Sequence, residues 1–238
     1  MGQTLTHTDS GNWRFSLSEG SGPDLVLAFS SVGHDPDQMP SPEFITSGSR
    51  GGQRRVLSIA DRGRSWGQDP EFAPLLCREV AALNPRGRLL AVGSSMGACL
   101  ALQAAAILPL TAVLAFGPQW ALGPDHPEET RWPLWQSRLR AGAGVRGIWP
   151  PPAGVFVTLL HGLQDDLAQA RAFPVRAGVD HLLFPRVSHS DLARGLRSRG
   201  LLGGMIEAAM EGDRRRLMRL ASSAGGISRR KLWPQPGV

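Results

Sequence analysis

The chain has 238 residues, with 26 basic and 20 acidic side chains and a net charge of +6. The excess lies wholly in residues 213–238, where seven Arg and Lys face Asp213 alone, so residues 1–212 are neutral. A nucleic-acid-binding body needs a basic footprint on the fold itself and is not expected. A composition of 42% hydrophobic and 19% charged residues reads as globular rather than disordered.

The longest apolar runs, such as Ala98–Leu110, fall short of the roughly 20 residues of a membrane span, so stable membrane insertion is not expected. No basic-then-apolar leader opens the chain, which argues against a secretory signal. Cys77 and Cys99 sit in helix-like stretches without a CxxC partner and read as packed, reduced thiols of a cytoplasmic protein. Arg outnumbers Lys 25 to 1, a GC-rich coding bias that points to a bacterium. Met1–Thr6 fits the M-G-x-x-x-[ST] myristoylation pattern, which a bacterial source disfavours. No metal site and no cofactor is expected.

Strand-length apolar runs alternate with helical periodicity, which predicts an α/β class with a mostly parallel sheet. Asn12–Ser18 alternates and reads as an edge strand. Asp24–Phe29 is a continuous apolar run, hence central, and Arg55–Ala60 is the next strand. Glu71–Leu83 has helical spacing, stopped by Asn84-Pro85. Arg88–Val92 is a strand, Met96–Leu108 a helix ended by Pro109, and Thr111–Phe116 and Val155–Leu160 are buried strands. Leu167–Phe173 is a short helix, Asp180–Val187 the last strand, and Leu192–Arg199 and Leu201–Leu220 are helices. Between two strands lies Gly117–Pro152, rich in Pro and Gly and holding four of the seven Trp. It is either an insertion or lid packed over one end of the sheet, or a loop whose rings bury against the body. Residues 1–220 read as one domain and 221–238 as a basic, flexible tail.

Gly93-Ser94-Ser95-Met96-Gly97 fits G-x-S-x-G between a strand and a small-residue helix. Such a turn lifts Ser95 clear of the sheet, and the flanking glycines permit close strand–helix approach. A nucleophilic serine needs a base, and the base an orienting carboxylate, in the order Ser…Asp…His. Asp165 and Asp166 follow strand Val155–Leu160; Asp165 is the first candidate, Asp166 the alternative, and the idle one caps the next helix. His189 follows the last strand and is the base candidate. His181 lies inside that strand and reads as structural, while His161 precedes the acids and breaks the order. The oxyanion donors expected are the N–H of Met96 and one from Ser30 or Ser31 after the strand Asp24–Phe29.

With these residues in this order, the chain resembles the α/β-hydrolase family over about Asp24–Met210. The resemblance implies a mostly parallel sheet flanked by helices, with the Trp/Pro-rich insertion after the sixth strand of that fold. It also implies ester cleavage through an acyl-enzyme. Four stretches resemble a narrower bacterial branch, the hydrolase-like proteins of surface-glycan and capsular polysaccharide biosynthesis. They are Ile59-Ala60-Asp61 with Ser65-Trp66-Gly67, the elbow itself, Ala115–Trp120, and His189 near Leu192 and Gly195. That branch implies deacylation or acyl transfer on a glycan ester or other small-molecule ester, with Trp66, Gln119 and Trp120 lining the substrate site. Phe29-Ser30-Ser31-Val32-Gly33 departs from the HGGG of many lipases and disfavours that subgroup. An acyltransferase and a non-catalytic scaffold of the same fold stand as alternatives.

Overall fold

The computed structural model describes residues 4–126 and 129–234. Met1, Gly2 and Gln3 of the myristoylation pattern lie outside them. Among the described residues nine strands form one sheet: β1 Leu5–Ser10, β2 Trp13–Ser18, β3 Leu25–Phe29, β4 Arg55–Asp61, β5 Leu89–Ser94, β6 Ala112–Phe116, β7 Phe156–Gly162, β8 Val179–Phe184 and β9 Ile227–Ser228. Their order is β1-β2-β4-β3-β5-β6-β7-β8-β9, parallel from β4 to β8 and antiparallel at both ends. The helices are α1 Ile45–Ser49, α2 Phe72–Leu83, α3 Met96–Ile107, α4 Pro133–Gln136, α5 Leu167–Ala172, α6 Leu192–Ser198, α7 Leu202–Glu211, α8 Arg214–Ser223 and α9 Arg229–Leu232. None of them is long and apolar enough to cross a membrane.

The central strands read as unbroken apolar runs because both sheet faces are covered. Side chains alternate between the two faces. Leu25, Leu27 and Phe29 of β3 pack with α2 and α3, while Val26 and Ala28 pack with Met205, Ile206 and Ala209 of α7. Helix α3 is buried on nearly every side, which its run of Ala and Leu permits.

The structure corrects several expectations. Asn12–Ser18 is not an edge, because β1 pairs outside it as β2. The alternation of β2 carries the buried serines Ser16 and Ser18 rather than a solvated face. The helix expected over Leu201–Leu220 is two: α7 ends at Gly212 in the left-handed region, and Asp213 caps α8 by accepting from the N–H of Arg216. Cys77 is exposed rather than packed, while Cys99 is buried.

As far as residue 234 the basic end is not a free tail, and residues 235–238 of it lie outside the described residues. Arg214–Ser223 is helical, and β9 pairs with Leu182 and Leu183 of β8. Arg229 donates to the carbonyls of Ala170, Arg171 and Phe173, so a cation sits on the last-turn carbonyls of α5. The same guanidinium donates to Nδ1 of His181 at 3.3 Å. That bond fixes the tautomers of a buried pair. His181 donates from Nε2 to Nδ1 of His161 at 2.8 Å, and His161 donates from Nε2 to the Pro118 carbonyl at 2.9 Å. His161 and His181 thus have their ring nitrogens tied to each other, to Arg229 and to the Pro118 carbonyl.

Candidate active site

Ser95 sits between β5 and α3 with φ 55 and ψ −123, a strained left-handed conformation. Close packing enforces it. A Cβ on Gly97 would lie 2.2 Å from the Phe29 carbonyl oxygen, and one on Gly93 would lie 2.1 Å from the Gly97 oxygen. The N–H of Ser95 donates to the Phe116 carbonyl at 2.8 Å, tying the elbow to β6. Met96 opens α3, where the first N–H groups have no intrahelical acceptor.

The carboxylate that meets His189 is Asp166, not Asp165. Both oxygens of Asp166 accept from Nδ1 of His189, at 2.8 and 3.0 Å, and the carboxylate is fully buried. Asp165 instead accepts from the backbone N–H of His189 at 2.6 Å, which holds the loop after β8. With a carboxylate on Nδ1, the proton belongs there and Nε2 is left as the basic nitrogen. That Nε2 is buried and makes no hydrogen bond among the described residues.

Burial pushes the pKa of Asp166 up. The His189 hydrogen bond and the charges on His189, His161 and Arg131 outweigh it, so the carboxyl is held below its ordinary value.

Gly117 makes room for this pair. It adopts φ 61, and a Cβ there would lie 2.7 Å from Nδ1 of His189. Only glycine fits without strain.

The insertion supplies two further neighbours that the sequence did not reveal. Arg131 donates from Nη1 to Asp166 at 2.8 Å and is held from behind by Glu129. Its guanidinium lies 4.6 Å from the ring centre of Trp132, and Trp132 packs 5.3 Å from the His189 ring. Burial and the Glu129 and Asp166 contacts act oppositely on Arg131, with a net rise, so it stays charged. Both readings of Gly117–Pro152 hold in part. Trp120 and Trp149 bury against Phe173, whereas Trp132 and Trp135 line a cavity of about 600 Å³ shared with Ser95 and His189.

The expected substrate-binding residues lie elsewhere. Trp66 is fully buried and donates from Nε1 to Oε1 of Gln119 at 2.8 Å, so it has no face open to a ligand. Asp61 dictates this: it accepts from Gly63 N–H, Ser65 N–H and Ser65 Oγ, and the resulting turn carries Trp66 inward at φ 50. Gln119 is also fully buried. Its Oε1 takes hydrogen bonds from Trp66 and Cys99, which orients Nε2 toward the Gly117 carbonyl at 2.9 Å and Oγ of Ser95 at 3.4 Å. Its amide thus reaches the serine hydroxyl. Burial pushes the Cys99 thiol up to about 12, leaving it an inert member of this cluster.

The loop after β3 is held by buried Arg64, which donates to the carbonyls of Val32, Asp35 and Gln38. Ser30 is not a free donor. Its N–H goes to the Ile59 carbonyl and its hydroxyl to the Ser41 carbonyl. Ser31 faces the cavity, but Glu43 accepts its N–H at 3.2 Å and its Oγ–H at 2.6 Å.

No family model matches this sequence, and no curated protein matches it. Solved structures do. A 2,6-dihydroxy-pseudo-oxynicotine hydrolase aligns with TM-score 0.63 at 14% identity, over 87% of this chain and 68% of that one. The capsule O-acetyltransferase of Neisseria meningitidis serogroup A aligns at 0.61 and 12%, over 85% and 94%. The α/β-hydrolase domain-containing protein 10 from mouse aligns at 0.53 and 15%, over 88% and 99%. At these identities the likeness defines the architecture: the chain has the α/β-hydrolase fold, with β9 as an added edge strand.

Proposed function

We propose that the chain is a serine hydrolase that cleaves an ester through an acyl-enzyme. Ser95 Oγ attacks the carbonyl, and Nε2 of His189 takes its proton and returns it to the leaving alcohol. Asp166 holds the tautomer and stabilises the imidazolium. The Met96 N–H serves the developing oxyanion, such a donor contributing roughly 10²–10³ in rate, while Ser31 lines the same cavity with its N–H and Oγ–H on Glu43. The observation that carries the reading is the unpartnered, buried Nε2 of a histidine whose Nδ1 is locked on a buried carboxylate, in the same cavity as a strained serine. Most buried polar atoms are paired, and His189 lines the cavity that Ser95 also lines.

For substrate we infer a small-molecule ester, with an O-acyl sugar as the best match to the aromatic side chains Trp132 and Trp135 at the cavity. Acyl transfer to a sugar hydroxyl shares the same covalent half-reaction. It is the second reading, favoured by the likeness to a capsule O-acetyltransferase. The exposed, unpaired thiol of Cys77 and the GC-biased composition support a bacterial cytoplasmic setting.

A fluorophosphonate probe tests the reading. Wild type should be labelled at Ser95, and Ser95→Ala should fold but take no label. A folded wild type that the probe leaves untouched favours the non-catalytic scaffold instead.

A further inference from the structure

Glu43 is a partly buried carboxylate that the mechanism above does not use. It lies in the cavity with Ser95 and His189, and its Oε1 occupies the N–H of Ser31, the donor that an oxyanion would need. It is fixed there. The next residue, Phe44, is left-handed at φ 59 and stacks 5.8 Å from Phe116, the residue whose carbonyl holds the Ser95 N–H. Oε1 accepts twice from Ser31, while Oε2 makes no hydrogen bond among the described residues.

A carboxylate and an oxyanion cannot share one donor without repulsion, so Glu43 poses a problem that its own proton can solve. We propose that the protonation state of Glu43 governs the oxyanion side of this site. Neutral, it presents a proton on Oε2 as a hydrogen-bond donor to the developing oxyanion. Ionised, it holds the Ser31 N–H against that charge. No bond to Glu43 is made or broken, and the proton remains on Oε2 throughout turnover. Burial pushes this carboxyl up, opposed by the two Ser31 hydrogen bonds and by the charge of His34 on the same loop. Arg194 and Arg197 of α6 and His189 line the same cavity.

The proposal rests on the serine-hydrolase reading, and the test separates the two. Fluorophosphonate labelling of wild type at Ser95 is established first, and its rate is then followed against pH for wild type, Glu43→Gln and Glu43→Ala. Glutamine imitates the neutral acid, with an amide donor where Oε2 lay. Wild type should show a descending alkaline limb, falling about tenfold per pH unit above its midpoint. Glu43→Gln should lose that limb, and Glu43→Ala should lose it too and run about tenfold slower than Glu43→Gln. Labelling at Ser95 with the same profile in wild type and Glu43→Gln overturns the role of Glu43 alone. Absence of labelling in folded wild type overturns the hydrolase reading, and this proposal with it.

Discussion

Replacing Asp166 by Asn removes a buried charge from the imidazole while keeping the side-chain shape. The carboxylate lies 2.8 Å from Nδ1 and is wholly shielded from water. Two unit charges about 4 Å apart attract by about 4 kcal/mol at an effective dielectric of 20. Arg131, 2.8 Å from Oδ1, offsets part of that, leaving about 3 kcal/mol for the imidazolium formed in the transition state. At 1.36 kcal/mol per decade, that is roughly a 10²-fold loss, and the misplaced tautomer takes it toward 10³. Asp165→Asn should behave differently. It keeps an oxygen to accept the His189 N–H and loses only charge assistance, about 1 kcal/mol, so turnover should stay within about fivefold. The assay is kcat/KM on p-nitrophenyl acetate, with circular dichroism to show that both variants fold. A large loss in Asp165→Asn beside near-normal Asp166→Asn would refute the assignment.

Removing the Arg131 cation should strengthen the hold of Asp166 on the imidazolium. Arg131→Met is expected to move the acid limb of kcat/KM to higher pH, and an unmoved limb would show that the guanidinium is only structural. Gly117→Ala forces a Cβ to within 2.7 Å of His189 at a left-handed position. Strain of roughly 1–2 kcal/mol and displacement of the ring should cut kcat at least about tenfold in a folded protein, read by steady-state kinetics beside a melting curve. Burial holds His161 at about 4, below its ordinary value, and holds His181 well below its own. A histidine depressed in the folded state stabilises above its unfolded pKa, and that stability is lost as pH falls through the folded value. Stability should therefore fall between pH about 6.5 and about 4, by on the order of 3 kcal/mol for His161 alone and read as a lowered Tm, and His161→Gln should flatten the drop. Truncation after Gly226 removes β9 and the Arg229 cap on α5. A cost of about 2 kcal/mol would lower Tm by roughly 4–8 °C, whereas an unchanged Tm would restore the view of the basic end as a tail.

What the sequence disclosed and what it hid divide along the range of the forces involved. The elbow was legible because G-x-S-x-G is a local solution to a local steric problem, and the flanking strand and helix announce themselves by apolar runs. The helix break at Gly212-Asp213 was equally local, a left-handed glycine followed by a capping aspartate, and could have been read. The acid was not so decidable. Asp165 and Asp166 are chemically equivalent neighbours, and which one points inward depends on how the chain leaves β7, where the N–H of Asp166 donates to the Gly162 carbonyl. The two-residue strand β9 carries no periodicity, so nothing in it could distinguish a pairing edge from a loop.

Tryptophans show the same limit in another form. Trp66 and Trp132 are both left-handed and both aromatic, yet one is sealed inside by the Asp61 turn and the other faces the cavity. Only long-range packing separates them. Arg131 is 35 residues from Asp166 in the chain, and no local pattern marks it as the partner of that carboxylate. Adjacent residues of the insertion thus act on adjacent members of the site: Arg131 on the carboxylate, Trp132 on the imidazole. Any shift of this segment changes both the charge that Asp166 can offer and the space around His189. The neutral body inferred from the charge count therefore has, at its centre, a guanidinium balanced between two carboxylates, and that balance rather than net charge sets the electrostatics of the chemistry.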